Sequence, residues 1–166
     1  MSKIVPRHSL REKEARQLLF DFSQKLSLEP KKFFGVKPRV EEAETQGIEV
    51  IIVDGKPLLA KFHDLLLPTL VFDAVLALFP KIVVNMGAVP YVCNGADVMA
   101  PGVVRIDGNF QKDDFLLIVD ERHGKSLGIG VALFDSQTMK GLKRGKIAKN
   151  LHYVGDKLWN FIKRLV

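Results

Sequence analysis

The residues best suited to bind a ligand lie in one run, residues 85–103, with the sequence NMGAVPYVCNGADVMAPGV. Gly87, Gly95 and Gly102, together with two prolines, interrupt it at intervals too short for an ordinary helix or strand. The pattern predicts a strand end, one or two helical turns and a glycine-lined loop. Bare backbone N–H groups in such a loop can receive a phosphate, a ribose hydroxyl or a base edge. Alternatively, these glycines only form tight turns.

Two places in this run carry a specific conformational prediction. Asn94-Gly95 is expected to close the short helix with a left-handed residue, because glycine has no Cβ to clash there. Ala100-Pro101-Gly102 is expected to form a type II turn with a positive φ at the glycine. Both conformations would leave the backbone exposed.

No catalytic or metal-binding set of side chains accompanies the run. His63-Asp64 could form half of a catalytic pair, but no serine or cysteine nucleophile has a motif context, which favours a structural role. Gly128 and Gly130 suggest a phosphate loop, yet no strand-to-helix G-x-G-x-x-G follows, and a bend or close packing is favoured. No Cys/His set has zinc spacing. The sequence therefore predicts no enzyme, no cofactor and no metal.

The expected compartment is the cytoplasm. Cys93 is the single cysteine and cannot form an intramolecular disulfide, which fits a reducing environment. Residues 1–5 lead into a charged segment rather than an apolar signal region. The longest apolar stretch, residues 65–79, is interrupted by polar residues and proline, so no membrane span is predicted.

The positive charge is concentrated in the second half of the chain. The net charge is +6; residues 1–80 hold 12 basic and 11 acidic side chains, and residues 81–166 hold 13 and 8. No acidic residue occurs between Asp135 and Asp156. This asymmetry predicts an anionic partner, although a basic run can also be plain solvated surface. The residues assigned to contact with this anionic partner, from charge alone, are Lys143, Arg144, Lys146 and Lys149.

The sequence before Pro80 predicts helices and a β-hairpin pattern. A helix is predicted over residues 9–28, with Ser9 and Glu12 as a capping box. A three-stranded antiparallel meander and a second helix, starting at Leu66-Leu67-Pro68-Thr69 and ending at Phe79, should follow. The strands are predicted at residues 39–45, 48–53 and 58–62, with Asp54-Gly55 as a two-residue turn.

The sequence after Pro80 predicts closely spaced short strands. Strands are predicted at residues 81–85, 103–106, 115–120, 127–135 and 147–154, separated by turn signals. Such spacing is typical of a small barrel or sandwich. Ser136 is a candidate cap for a short helical turn, and Asp156 is the expected cap of a terminal helix.

The glycine-lined run also resembles a known module. G-A-D-V-M-A-P-G-V, after G-A-V-P-Y-V and before a remainder ending in H-Y-V-G-D, resembles a PUA domain, the RNA-binding module of pseudouridine synthases and archaeosine transglycosylases. With its N-terminal partner and the ending L-H-Y-V-G-D-K-L-W, the chain is similar to the malignant T-cell-amplified sequence proteins, translation factors with archaeal relatives. The resemblance implies an α+β chain, with a pre-PUA α/β domain at residues 1–80 and a small mixed β-barrel PUA domain at residues 81–166.

The resemblance further implies a binding surface. In PUA domains the first short helix, the glycine loop with its following strand, and the final strand grip the end of an RNA stem, often a tRNA 3′ end. Tyr153 could stack on a base or complete the core. Carried over position by position, the surface consists of Gly87, Ala88, Val89, Gly95, Ala96, Asp97, Met99, Pro101, Gly102, His152 and Tyr153.

The implied function is non-catalytic RNA binding in translation. The expected ligand is tRNA or rRNA, the expected step is initiation or ribosome recycling, and the small ribosomal subunit is a candidate partner. In eukaryotic relatives the first half pairs with the density-regulated protein, but nothing in this sequence predicts a protein partner. The alternative is an RNA-targeting subunit or accessory protein of an RNA-modification enzyme.

Overall fold

The structure, a computed structural model, describes residues 4–166, which form two compact units. The first unit holds the residues up to Val75 together with Asn160–Val166, and the second holds Leu76–Trp159. The predicted division, 1–80 and 81–166, assigns residues 160–166 to the second domain instead, and it stays a prediction. Residues 1–3, where the signal-region expectation begins, lie outside the described residues. Within residues 4–166 no helix has the length and apolar character needed to cross a membrane.

The first unit is built on a five-stranded antiparallel sheet in the order β1-β2-β3-β4-β5. Asp54 and Gly55 both have positive φ, 50° and 84°, as a two-residue hairpin turn requires, so the predicted turn is confirmed. The strands are β1 His8–Ser9, β2 Val40–Thr45, β3 Ile48–Val53, β4 Lys56–Phe62 and β5 Leu65–Pro68.

The first helix, α1, is Glu12–Lys25, shorter than predicted. The predicted capping box is wrong: Ser9 pairs with Glu41 in the sheet, and Glu12 forms an ion pair with Arg16. The buried apolar residues of α1 are Ala15, Leu19 and Phe22, which recur at helical spacing. The Phe22 ring lies 6.1 Å from that of Phe34 in α2, Pro30–Phe34.

The predicted second helix forms only in part, and its predicted opening residues belong to a strand. Leu65–Pro68 pairs with β4, with Leu67 opposite Ala60, and only Asp73–Leu76 is helical (α3). A continuous apolar run fits either element, and the turn at His63, whose φ is 53°, decides for a hairpin. Pro68 ends this edge strand, where the missing N–H is tolerated. His63-Asp64 is therefore a turn.

The second unit contains a six-stranded mixed sheet in the order β7-β11-β10-β9-β6-β8. β6 runs parallel to β9, and the other neighbours are antiparallel. The outermost strands, β7 and β8, are joined only by a 3-10 turn, Ala100–Gly102, so the sheet must curl to bring its edges together. The strands are β6 Lys81–Val84, β7 Val98–Met99, β8 Val103–Asp107, β9 Phe115–Asp120, β10 Ser126–Ala132 and β11 Lys146–Tyr153.

Three helices complete this unit: α4 Val89–Val92, α5 Ser136–Gly141 and α6 Lys157–Leu165, whose last residues belong to the first unit. Asp135, rather than Ser136, caps α5 by accepting the Thr138 N–H at 2.7 Å. The core inside the curled sheet comprises Ile82, Val84, Val92, Val98, Ala100, Phe110, Leu116, Ile118, Leu127, Ala132, Met139, Ile147 and Ala148. The fold is therefore the predicted α+β type, a helix-and-sheet region followed by a small mixed half-barrel.

Gly128 and Gly130 allow two strands to approach closely. A Cβ on Gly128 would lie 2.9 Å from the His152 carbonyl oxygen, and one on Gly130 would lie 2.8 Å from that of Lys149. Both glycines sit beside the register shift between β10 and β11. The G-x-G pair thus serves strand packing, as favoured over a phosphate loop.

Candidate nucleic-acid interface

The short helix α4 is the centre of the candidate interface, and the turn before it is tied to the loop after it. The Asn85 side-chain oxygen accepts the Ala88 N–H at 2.9 Å, and the Asn85 N–H donates to the Gly102 carbonyl at 2.9 Å. A Cβ on Gly102 would lie 3.2 Å from the Ala88 Cβ. The glycine at position 102 therefore lets two predicted site segments meet.

Gly102 does this without the predicted conformation. Ala100–Gly102 is a 3-10 turn, and Gly102 lacks the positive φ of a type II turn. The Pro-Gly pair is compatible with either turn, and the pairing of the neighbouring strand residues selects the tighter one. A side chain at position 102 is thus opposed by contact with Ala88 rather than by backbone strain.

Gly95 has the predicted left-handed conformation, with φ 93°. Its N–H donates to the Val92 carbonyl at 3.0 Å, which ends α4. A Cβ here would lie 2.9 Å from the Tyr153 hydroxyl oxygen. The half-buried Tyr153 ring thus packs along the glycine backbone at the end of β11.

Asp97 connects the loop after α4 to β11. One carboxylate oxygen accepts the Asn150 N–H at 2.8 Å, and the other lies 2.9 Å from the Lys146 Nζ. Burial alone would raise the pKa of Asp97, but the Asn150 hydrogen bond and the charges of Lys146 and Lys149 outweigh it and lower the pKa. Lys146 is therefore committed to an internal ion pair, although about half of its side chain is exposed.

Asn150 is a site residue that the sequence analysis missed. Its side-chain nitrogen, Nδ2, donates to the carbonyls of Val92 and Ala96 at 3.0 and 3.1 Å. The side chain therefore holds both ends of the loop that follows α4. Its side-chain oxygen is buried and has no hydrogen-bond partner among the described residues. An asparagine inside a basic strand carries no local signal for this long-range role.

The basic loop, residues 143–149, covers the connection before β11 and the first residues of that strand, and it is attached to the same surface. Lys143, Arg144 and Lys149 are exposed, and the Gly145 carbonyl between them accepts the Ala100 N–H at 2.8 Å. Lys146 pairs with Met99 across β11 and β7. The loop is therefore held beside the 3-10 turn, with three basic side chains directed to solvent.

His152 is not available to a ligand. It is fully buried, and its Nδ1 lies 2.8 Å from an Asp156 carboxylate oxygen. The predicted surface role is therefore wrong, because His152 is the buried residue between half-buried Leu151 and Tyr153 at the end of β11, while Tyr153 packs against Gly95. Asp156 also accepts the Trp159 N–H at 2.7 Å, which confirms it as the cap of α6.

Exposed apolar side chains lie on or beside the predicted residues. Tyr91 on α4 is 69% exposed, Met99 is 48% exposed and Val104 is 50% exposed. Gly87 and Pro101 are exposed as well, and Ala88 and Val89 are half-buried. Aromatic and apolar side chains beside basic ones are suited to stacking on bases while cations meet phosphates. Tyr91 was missed because the motif comparison emphasised the small residues around it.

Comparison with known families gives two matches that cover most of the chain. Residues 80–154 match the PUA domain, and residues 6–72 match a family described as Domain of unknown function (DUF1947). A protein of Methanocaldococcus jannaschii is 45% identical over 128 residues, which are 75% of this chain and 78% of that protein. Translation machinery-associated protein 20 of Saccharomyces cerevisiae is 28% identical over 121 residues, 69% of this chain and 67% of that protein.

The PUA part also has relatives within larger proteins. A probable tRNA pseudouridine synthase B of Pyrobaculum calidifontis is 39% identical over 70 residues, 42% of this chain and 21% of that protein.

Solved structures match over nearly the full length. A PUA domain protein of Aeropyrum pernix K1, in a tartrate complex, superposes with a TM-score of 0.82 at 28% identity, covering 98% of this chain and 93% of that one. A hypothetical protein of Pyrococcus horikoshii OT3 superposes with a TM-score of 0.75 at 33% identity, covering 95% of this chain and 99% of that one.

The fold and these matches define a PUA-domain protein, a class built around an RNA-binding module. Its N-terminal DUF1947 region, and relatives matched over about two thirds or more of both chains, narrow the family assignment further. The chain belongs to the family of the malignant T-cell-amplified sequence proteins and Translation machinery-associated protein 20, as the sequence motifs predicted.

Proposed function

We propose that this protein binds tRNA or rRNA through the surface around α4, as a non-catalytic factor in translation initiation or ribosome recycling. The observation that carries the proposal is the convergence of α4, the 3-10 turn and the basic loop on one surface. The name of the yeast relative, which refers to the translation machinery, supports the translation setting. The small ribosomal subunit is a fitting partner on the same ground.

The exposed chemistry of this surface suits RNA. Lys143, Arg144 and Lys149 supply cations that can meet phosphates, while Tyr91 and Met99 supply apolar faces for bases. Among residues 4–166, no group of three His, Cys, Asp or Glu side chains is arranged to hold a metal ion.

The direct test is a salt titration of tRNA binding. Affinity of fluorescently labelled tRNA would be measured from 50 to 300 mM KCl for the wild type and for the triple variant K143A/R144A/K149A. Three phosphate contacts at about 0.7 per contact predict that the log–log salt slope falls by about 2. Lys146 is left intact because it holds Asp97.

A matched control removes three exposed lysines elsewhere. K31A/K56A/K112A loses the same charge in α2, at the start of β4 and in the β8–β9 connection. We expect it to retain most of the wild-type slope. Equal slopes for the triple variant and this control would remove the basic loop from the interface, and no tRNA binding by the wild type would refute the proposal.

The alternative is an accessory role in RNA modification, which the similarity to a probable tRNA pseudouridine synthase B favours. The two functions separate when tRNA is incubated with the protein alone and its nucleosides are analysed by mass spectrometry. Unchanged nucleosides are expected for a translation factor. Copurification with a modifying enzyme, rather than with ribosomal subunits, would favour the accessory role.

A further inference from the structure

The turn between β9 and β10, residues 121–125, lies at the same end of the curled sheet as α4. Val84, the last residue of β6, pairs with Asp120, and α4 follows β6 along the chain. Gly128 pairs with Tyr153, so the end of β11 is also there. The register alone therefore brings this turn beside the segment that forms the candidate interface.

The turn is fixed by a single buried carboxylate. Asp120 is 4% exposed and accepts the backbone N–H groups of Arg122 at 2.9 Å, Lys125 at 3.0 Å and His123. The His123 N–H makes the largest contribution to lowering the pKa of Asp120, and those of Lys125 and Arg122 add to it. A carboxylate that holds three amides defines the path of the turn.

Three of the side chains in the turn are basic and exposed, beside the exposed carboxylate of Glu121. Arg122, His123 and Lys125 all face solvent, and within residues 4–166 none of them forms an ion pair. Lys146 of the basic loop, in contrast, is paired with Asp97. The turn thus offers the cations of Arg122 and Lys125, which have no ion-pair partner in the described part of the chain, from a backbone that Asp120 fixes.

The turn also touches the α4 segment directly. The Glu121 carboxylate accepts the Met86 N–H at 3.4 Å, and the Glu121 N–H donates to the Val84 carbonyl at 2.9 Å. Both contacts lie in the segment before α4, and β10, the strand that follows the turn, packs against α4 itself.

We infer that the 121–125 turn is a second phosphate-binding arm of the interface, with Arg122 and Lys125 as the contacting residues and Asp120 as a positioning residue. The arm contacts the segment before α4 and the basic loop contacts the loop after it, so an RNA strand crossing the helix meets cations from two separate parts of the chain. This inference rests on the proposed RNA-binding function. It adds a contact that the motif and the basic run of the sequence do not contain.

The test compares R122A/K125A with K56A/K112A, which removes two exposed lysines outside the interface. Both variants and the wild type would be titrated with labelled tRNA from 50 to 300 mM KCl. Two phosphate contacts predict that the log–log slope falls by about 1.5 in R122A/K125A only. If counterion release supplies the whole effect, affinity at 0.1 M KCl falls about 30-fold.

Asp120→Asn separates position from charge. The substitution raises the net charge by one, so a merely electrostatic patch would bind tRNA as well as the wild type or better. A positioned arm predicts weaker binding, because an amide cannot accept the three N–H groups as the carboxylate does. Circular dichroism would establish that this variant is folded, and R122A/K125A, which alters only surface side chains, decides the question without it.

The outcomes are distinct. A wild type that binds no tRNA refutes the proposed function and this inference with it. A wild type that binds, with R122A/K125A indistinguishable from K56A/K112A, overturns the arm and leaves the proposed function standing. Unweakened binding by a folded Asp120→Asn variant overturns the positioning role of Asp120.

Discussion

Gly95 lets Tyr153 pack against the loop after α4 because glycine has no side chain. Its left-handed backbone ends α4, and the space where a Cβ would stand is filled by the Tyr153 hydroxyl. Two penalties therefore oppose any substitution: the strained φ and the displacement of an aromatic ring from the end of β11. Gly155 has a similar φ of 95° but nothing within 4 Å of its Cβ position, so only the first penalty applies there.

We predict that Gly95→Ala destabilises the protein more than Gly155→Ala. The shared backbone strain costs about 1 to 2 kcal/mol, and the contact with Tyr153 adds about 1 kcal/mol or more at Gly95. Urea unfolding of both variants measures the difference. Gly95→Ala should also weaken tRNA binding, because Tyr153 and the loop after α4 shift. Equal losses of unfolding free energy in the two variants would mean that Tyr153 moves away from the new side chain without destabilising the protein.

The pKa of the Cys93 thiol depends on the charge of Lys125 in the 121–125 turn. Burial raises the pKa of this thiol, and the positive charge of Lys125 opposes the rise. Removing that charge should raise the pKa further, because a nearby cation favours the thiolate.

The prediction is that Lys125→Ala slows alkylation of Cys93, the single cysteine, at pH 8 and moves the pH–rate profile to higher pH. Iodoacetamide labelling followed by mass spectrometry measures both. Lys112→Ala, which removes an equal charge in the β8–β9 connection, should leave the profile unchanged. Identical profiles for Lys125→Ala and the wild type would place Lys125 too far from the thiol to matter.

At the scale of elements, Asp156 joins β11 to α6. One oxygen caps the helix through the Trp159 N–H, and the other accepts the Tyr153 N–H at 2.9 Å and contacts buried His152. A single carboxylate thus ends the strand that carries Tyr153 and starts the helix that follows it.

Asp156→Ala should therefore cost more than an ordinary cap. Loss of the cap costs about 1 kcal/mol, and each further hydrogen bond about 1 kcal/mol, so a total of about 2 to 3 kcal/mol is expected. Asp156→Asn keeps an oxygen for the cap and should lose roughly half as much. Urea unfolding measures both, and equal losses would indicate that the cap contributes nothing separable.

Elements were predictable where local chemistry and packing agree. The Asp54-Gly55 turn and the left-handed Gly95 followed from conformational needs that few residues meet. The Leu65–Pro68 strand did not, because an apolar run fits helix and strand alike and its pairing with β4 is tertiary. Ser9 offered a cap, but pairing with β2 took precedence.

The candidate site was predictable as a segment but not as a set of contacts. The glycine-lined run marks its centre, and the basic run marks one flank. The burial of His152, the pairing of Lys146 with Asp97 and the bridging role of Asn150 all depend on which residues β11 turns inward. The 121–125 turn reaches α4 only through the parallel pairing of β6 with β9, which no local pattern indicates.

At the scale of the whole molecule, three carboxylates stabilise local structure in this basic protein. Asp97 holds Lys146, Asp120 holds the 121–125 turn, and Asp135 caps α5. All three have lowered pKa values: burial opposes the shift at Asp97 but is outweighed by Asn150 and Lys146, while backbone N–H groups dominate at Asp120 and Asp135. These carboxylates therefore link the stability of the second unit to pH.

The sign of that link follows from proton binding. In the unfolded chain these groups have their ordinary pKa of about 3.9, and in the folded protein they hold protons only at lower pH. Their contribution is therefore fully present above the unfolded value and is lost as the pH falls through the folded values. We predict that the urea midpoint, followed by fluorescence of Trp159, is nearly constant from pH 7 to 5 and falls steeply below pH 4.

Two variants test whether these carboxylates are responsible. Asp120→Asn should have a lower urea midpoint than the wild type at pH 7 but a shallower decline below pH 4, since one of the linked groups is gone. Ile147→Val, a core substitution expected to cost about 1 kcal/mol, should lower the midpoint by a similar amount at every pH and keep the wild-type slope. If Asp120→Asn and Ile147→Val decline in parallel, the acid sensitivity arises elsewhere, and the lowered pKa of Asp120 contributes no measurable stability.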